Sequence, residues 1–155
     1  MQVRLATEAD IVVLASLRVA LLEETGASMS ERERAEMQQL NEDFFLRHIR
    51  SEEWCNWLVV AADQAVAVGT LAFFMRPPYV GNPVGKGAYL LNGYTLPAYR
   101  GRGAAHLILQ AAIQRASERG VRKLILHATE AGRPIYSKAG FVPSAAYMEL
   151  NIAAA

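Results

Sequence analysis

The chain is poor in the residue types from which disulfide frameworks, metal centres and polyanion-binding surfaces are built. It has one cysteine, Cys55, which excludes an internal disulfide and fits a reducing compartment. Trp54 and Trp57 flank that thiol and no base adjoins it in sequence, so an inert buried cysteine is expected rather than a nucleophile. Three histidines are scattered, and no His/Cys/carboxylate group has metal-ligand spacing; no metal is expected. Neither sign of charge prevails: 16 Lys and Arg stand against 15 Asp and Glu, for a net charge of +1. With no basic run either, nucleic acid is excluded as a partner. The longest apolar runs, 11–16 and 19–22, are separated by Arg18 and fall well short of the roughly 20 residues of a membrane span. No basic segment leads into an apolar run with a cleavage site, so a cytoplasmic protein is expected, with no membrane partner. Repeats, low-complexity stretches and linkers are absent too. At 155 residues and 52% hydrophobic content, the expectation is one domain, 1–155, with a real core.

What is present is an alternation of short strands and helices. Residues 3–6 alternate like a strand, and Thr7 and Asp10 offer caps to a helix carrying Ile11, Leu14, Leu17, Leu21 and Leu22. Gly26 ends it. Ser30 caps a second, polar helix, 31–50, whose narrow apolar side is Met37, Leu40, Phe44 and His48; its mixed charges read as a solvated face. Strand-like runs 57–62 and 65–75 are joined at Asp63-Gln64. A Pro- and Gly-rich loop, 76–85, precedes a strand at 86–96. A helix over 102–119 buries Leu107, Ile108, Ala111 and Ala112, and Gly120 stops it. Residues 121–127 form a strand made parallel by that crossover, 131–139 a short helix, and 141–142 and 147–152 the last strands. The order is that of an α+β fold: a mixed, mostly antiparallel central sheet with helices on both faces.

The centre of this arrangement is Tyr99-Arg100-Gly101-Arg102-Gly103-Ala104-Ala105, between a strand and a helix. A strand, a glycine-bearing turn and a helix start present consecutive unpaired N–H groups to one point, where the helix dipole favours an anion. Gly101 and Gly103 permit positive φ and close approach, while Arg100 and Arg102 add charge; a diphosphate is the natural guest. The P-loop is excluded because Ala104 and Ala105 stand where Lys and Ser or Thr are required. The dinucleotide fingerprint is excluded because His106 takes the place of its third glycine.

Arg100, Gly103 and Ala105 match the Q/R-x-x-G-x-G/A motif, and here the sequence resembles the GCN5-related N-acetyltransferase (GNAT) superfamily. The resemblance extends over most of the chain. Residues 92–103 look like the family's fourth strand and pyrophosphate loop, 124–129 like its fifth strand, and 132–141 like its helix ending in Tyr-x-x-x-Gly-Phe. It implies acetyl-CoA as acyl donor, lying between the fourth and fifth strands, with its diphosphate on the amides of Arg100, Gly101, Arg102, Gly103, Ala104 and Ala105. The pantetheine would pair like a strand near Tyr94, Thr95 and Leu96. Thr129 stands where the family often has an asparagine that contacts the pantetheine, and Arg133 lies close by.

The resemblance also implies transfer to an amine by direct attack in a ternary complex, with Tyr136 as acid for the departing thiolate; packing against Phe141 is its other role. Many relatives use a glutamate on the central strands as base, whereas this fourth strand carries Asn92 and Tyr94 on one face and no carboxylate. Asn92 would orient a water or the acceptor. His127 is the best titratable candidate, although a satisfied core histidine is the reading its position favours. His106, Glu23 and Glu24 stay open as lesser alternatives. The acceptor is expected to be a small-molecule amine. A protein or peptide amine, or a CoA-binding module without turnover, are the alternatives. The apolar last strand with Tyr147, Met148 and Leu150 would suit a homodimer.

Overall fold

Two strands rich in β-branched and aromatic residues, β2 (Trp54–Ala61) and β3 (Gln64–Met75), carry the centre of the sheet. The structure is a computed structural model that describes residues 1–151. β1 (Gln2–Leu5), β2, β3 and β4 (Lys86–Thr95) pair antiparallel in chain order. β5 (Lys123–Leu126) lies parallel to β4, because the helix α3 (Ala104–Glu118) carries the chain back across the sheet. The sheet order is therefore β1-β2-β3-β4-β5.

The β2–β3 turn lies one residue earlier than its sequence implies. Ala62 and Asp63, at φ 47° and 63°, form it. Positive φ at two successive residues gives the turn twist that suits paired strands, and it takes precedence over the poor fit of Ala62 to that region.

The central strands distribute their residues to two cores. Trp57 and Val59 join Leu71, Leu90, Ile108 and Leu109 under α3, and α4 (Arg133–Lys138) packs through Ile135 and Tyr136 on that same side. Leu58, between them, faces the other way and joins Val68, Leu14, Leu17 and Phe45 beneath α1 (Ile11–Glu24) and α2 (Glu31–His48). α3 lies close against β3 because a Cβ at Gly69 would overlap Ile108. Cys55 belongs to the core under α3 and is buried.

The capping expectations hold at both front helices. The Thr7 amide donates to Asp10 Oδ2 at 2.8 Å, and the Ser30 amide donates to Glu33 Oε2 at 2.8 Å. The apolar side of α2 differs from its expected seam: Leu40 is 54% exposed while Phe45 is buried. Phe44 and Phe45 pack edge to face, and Phe44 meets Trp54 at 5.1 Å, so aromatic packing on β2 turns the helix onto its Phe pair.

The strands expected at 141–142 and 147–152 do not form among the described residues; Ile152 lies outside them. Pro143 has no N–H to donate, and Tyr147, Met148 and Leu150 are 60%, 93% and 84% exposed. This segment buries too little apolar surface to offset the entropy of ordering a strand. The final strand invoked for a homodimer is thus not formed, and β5 is an edge. No helix among the described residues is long and apolar enough to cross a membrane.

Candidate functional site

β4 pairs with β5 only from Gly87 to Leu90, yet it runs on to Thr95. The cause lies on its other edge. Tyr94 pairs with Val68 and Leu91 with Thr70, so Asn92 and Gly93 together oppose Gly69. This is a β-bulge, and Asn92 adopts φ 56°, a left-handed conformation that Asn tolerates better than most residues. The bulge bends β4, and the strand beyond Leu90 is free of β5.

At the far end of that opening the chain leaves Leu96 through a short 3₁₀ turn (Pro97–Tyr99) and enters the glycine loop. Gly101 and Gly103 adopt φ 71° and 90°, as the sequence requires of a close-approach turn, and open space surrounds the Cβ position of each. The first helical bond runs from the Leu107 amide to the Gly103 carbonyl. The amides from Gly101 to His106 have no protein acceptor among the described residues. Arg100 is engaged elsewhere: Nε donates to the Thr95 carbonyl at 3.0 Å and Nη2 to Glu24 at 2.5 Å, with the Tyr94 ring beneath. Arg102 leans over Tyr99 at 5.6 Å and is exposed. Ala104 is buried under the loop, while Ala105 is exposed.

Tyr136, on α4, reaches β4 from the α3 side. Its hydroxyl lies 3.4 Å from the point a Cβ of Gly93 would occupy, and its ring meets Phe141 edge to face at 5.9 Å. Burial raises its pKa above the ordinary tyrosine value, which keeps the hydroxyl protonated. Thr129 caps the turn into α4, its Oγ1 accepting from the Gly132 amide at 3.2 Å, and Arg133 is exposed at the start of that helix. His127 is an exposed residue, not a core histidine. It follows the last residue of β5 and forms a 2.6 Å hydrogen bond between Nδ1 and the Tyr89 hydroxyl, with the Tyr147 ring edge to face at 4.6 Å.

Asn92 points to the opposite face. There a cavity of about 220 Å³ lies between the sheet and the front helices. Arg18, Asn41, Thr70 and Asn92 give it polar walls, and Phe44, Phe45, Trp54 and Leu91 give it apolar ones. Thr70 donates to Asn56 Oδ1 at 2.8 Å and accepts from Asn92 Nδ2 at 3.3 Å. That leaves Asn92 Oδ1 buried without a partner. Asn92 and Tyr136 therefore stand on either side of one bulge, while Glu24 is held by Arg100 and Glu23 by Arg34.

The Acetyltransferase (GNAT) family matches residues 18–141 of the sequence. The chain belongs to this family. Among solved structures, a predicted acetyltransferase from Clostridium acetobutylicum, crystallised with acetyl-CoA, is 31% identical with a TM-score of 0.84, over 97% of this chain and 95% of that one. A GCN5-related N-acetyltransferase from Ralstonia eutropha is 28% identical, also at 0.84, over 97% of each chain. Glucosamine-6-phosphate N-acetyltransferase from Arabidopsis thaliana, 13% identical over 98% of each chain with a TM-score of 0.70, shares the fold. Comparison with curated proteins gives no match.

For a GNAT protein the arrangement supports acetyl transfer in general. The sequence did not single out Arg18, Thr70 or the aromatic walls of the cavity. One signal was available: Arg18 is the only charged residue of α1 before Glu23. A lone arginine inside an apolar helix has to be placed against something that compensates its charge.

Proposed function

We propose that this chain is an acetyl-CoA-dependent N-acetyltransferase acting on a small-molecule amine by direct attack in a ternary complex. The observation that carries the proposal is the opening of β4 away from β5, with the Tyr136 hydroxyl at its edge. Acetyl-CoA fits the residues present: unpartnered amides from Gly101 to His106 at a helix N-terminus suit a diphosphate, and open space lies over both loop glycines. Arg102 adds an exposed charge there, whereas Arg100 contributes by bracing the loop on Glu24 and Thr95. The unpaired edge of β4 near Tyr94, Thr95 and Leu96 suits the pantetheine amides, and Thr129 and Arg133 are further candidate contacts to the cofactor.

Acetyl-CoA supplies an acyl group activated as a thioester. The amine nitrogen forms the new C–N bond as the C–S bond breaks, and the Tyr136 hydroxyl gives the departing thiolate its proton. No carboxylate lines the cavity among the described residues, so the amine's proton leaves through water, with Asn92 orienting the amine or that water. His127 lies outside the cavity lining, tied to Tyr89, and serves at most as a relay from the opening to solvent. The absence of a carboxylate is also what favours a second reading, a CoA-binding module without turnover.

The test is the thermal midpoint with acetyl-CoA, with ATP and NAD as controls, followed by a screen of amine acceptors for thiol release. Saturation at 100 times Kd adds about 2.7 kcal/mol, or about 5–10 °C for a chain this size. Equal shifts with all three ligands, or none, would overturn the proposal. A selective shift without turnover on any acceptor would select the second reading.

A further inference from the structure

The front cavity holds two unsatisfied groups, and they are of opposite kinds. Arg18 is half-buried, and burial depresses its guanidinium pKa. None of the ion pairs or side-chain hydrogen bonds among the described residues includes it. Asn92 Oδ1 is the other, an acceptor with both lone pairs free. A cation and an acceptor sharing one small cavity are complementary to a molecule that carries an anion and an N–H donor.

We propose that the acceptor is a small amino acid with an apolar body, whose carboxylate is held by Arg18 while its amine is presented at Asn92. This rests on the acetyltransferase reading above and names its substrate class. A guanidinium fork matches the two oxygens of a carboxylate, and Arg18 is the only charged residue in the lining, which suits one negative charge better than a phosphate dianion. Phe44, Trp54 and Leu91 offer an apolar body its contacts. The volume of about 220 Å³ lies below the roughly 300–1,000 Å³ of pockets that take drug-sized ligands. A polyamine would meet Arg18 with like charge and leave the guanidinium unpaired.

The experiment uses the whole chain loaded with CoA, and titrates N-acetylated α-, β- and γ-amino acids with apolar substituents, each against its carboxamide, by calorimetry. At least one carboxylate is expected to bind about 10- to 100-fold more tightly than its carboxamide. Arg18→Gln is expected to remove that difference, and Arg18→Lys to retain part of it, while the acetyl-CoA midpoint shift stays at the wild-type value. Equal binding of carboxylates and carboxamides, no binding of either to the wild type, or a preference that persists in Arg18→Gln would each overturn the proposal. Should Arg18→Gln fail to fold, the wild-type comparison of carboxylate with carboxamide decides by itself. Loss of the acetyl-CoA shift in the wild type would overturn the parent reading; a retained shift with acetylation of neutral or polycationic amines would overturn only this one.

Discussion

The two faces of the sheet build their halves of the site from different materials. On the α3 side the proposed donor site is made of main chain: two glycines at φ 71° and 90°, a run of free amides and the bare edge of β4. On the α1–α2 side the proposed acceptor site is made of side chains that reach one cavity from α1, α2, β2, β3 and β4. A backbone site needs only a short stretch in the right conformation and tolerates many side chains around it. A side-chain site can change its ligand with one substitution and leave the fold intact. The bulge at Asn92 and Gly93 serves both, with Asn92 turned to one face and Gly93 leaving room for Tyr136 on the other.

The sharpest way to break this division is at Tyr136, the donor-side residue proposed to take part in the chemistry through its side chain. Tyr136→Phe is expected to lower kcat about 100-fold. The thermal midpoint should move little, because the ring still packs on Phe141. Burial disfavours the phenolate, so the folded pKa is raised and the proton-donating form persists to higher pH than in a free tyrosine. Wild-type kcat should therefore show no loss of the acid up to about pH 10, and a decline beyond it that the Phe variant lacks. Unchanged turnover would remove Tyr136 from the mechanism.

Gly103→Val tests the backbone half. Nothing lies within 4 Å of the added Cβ, so the cost to folding is the strain of a left-handed β-branched residue, about 1–2 kcal/mol. The acetyl-CoA Kd is expected to rise at least about tenfold, since the loop amides must keep their alignment to meet a diphosphate. Gly120→Val is the control, with φ 70° and equally open surroundings at the far end of α3. Comparable destabilisation with an unchanged Kd at Gly120 would sharpen the comparison; equal losses of affinity at both would dissolve it.

This division of materials also governs what the sequence discloses. Gly101 and Gly103 act through local conformation, so their spacing with Ala105 is legible as a candidate phosphate loop before any fold is known. Tyr136 is read from a motif of the same local kind. Asn92 is legible as a polar residue on β4, but not as the left-handed half of a bulge, because that depends on what Gly69 offers across the pairing. Leu40 and Phe45 exchange roles because helical periodicity marks a face without saying which neighbour it meets. The last strands read as apolar runs in sequence, yet find no partner to bury them. Arg18 was only an interruption between apolar runs until α1, α2 and three strands closed around it.

The smallest effect expected concerns how α1 is set. Arg4 of β1 and Asp10 form a two-point ion pair at 2.7 Å, and Asp10 also accepts from the Thr7 amide and hydroxyl. The Arg4 guanidinium, ahead of the Thr7 contacts, holds the Asp10 carboxyl well below the usual carboxylate range. A depressed folded pKa contributes stability that is present above the unfolded pKa, near 3.9, and is lost as pH falls through the folded value. Asp10→Ala should therefore cost about 2 kcal/mol at pH 7, a midpoint drop of about 4–8 °C. That gap should narrow as the wild type is acidified below about pH 4. If the acceptor side is built from side chains, a looser α1 entry should raise the acceptor KM through Arg18 while the acetyl-CoA Kd stays where it was. Equal effects on both ligands would mean that α1 supports the two halves alike, through the bond between Glu24 and Arg100.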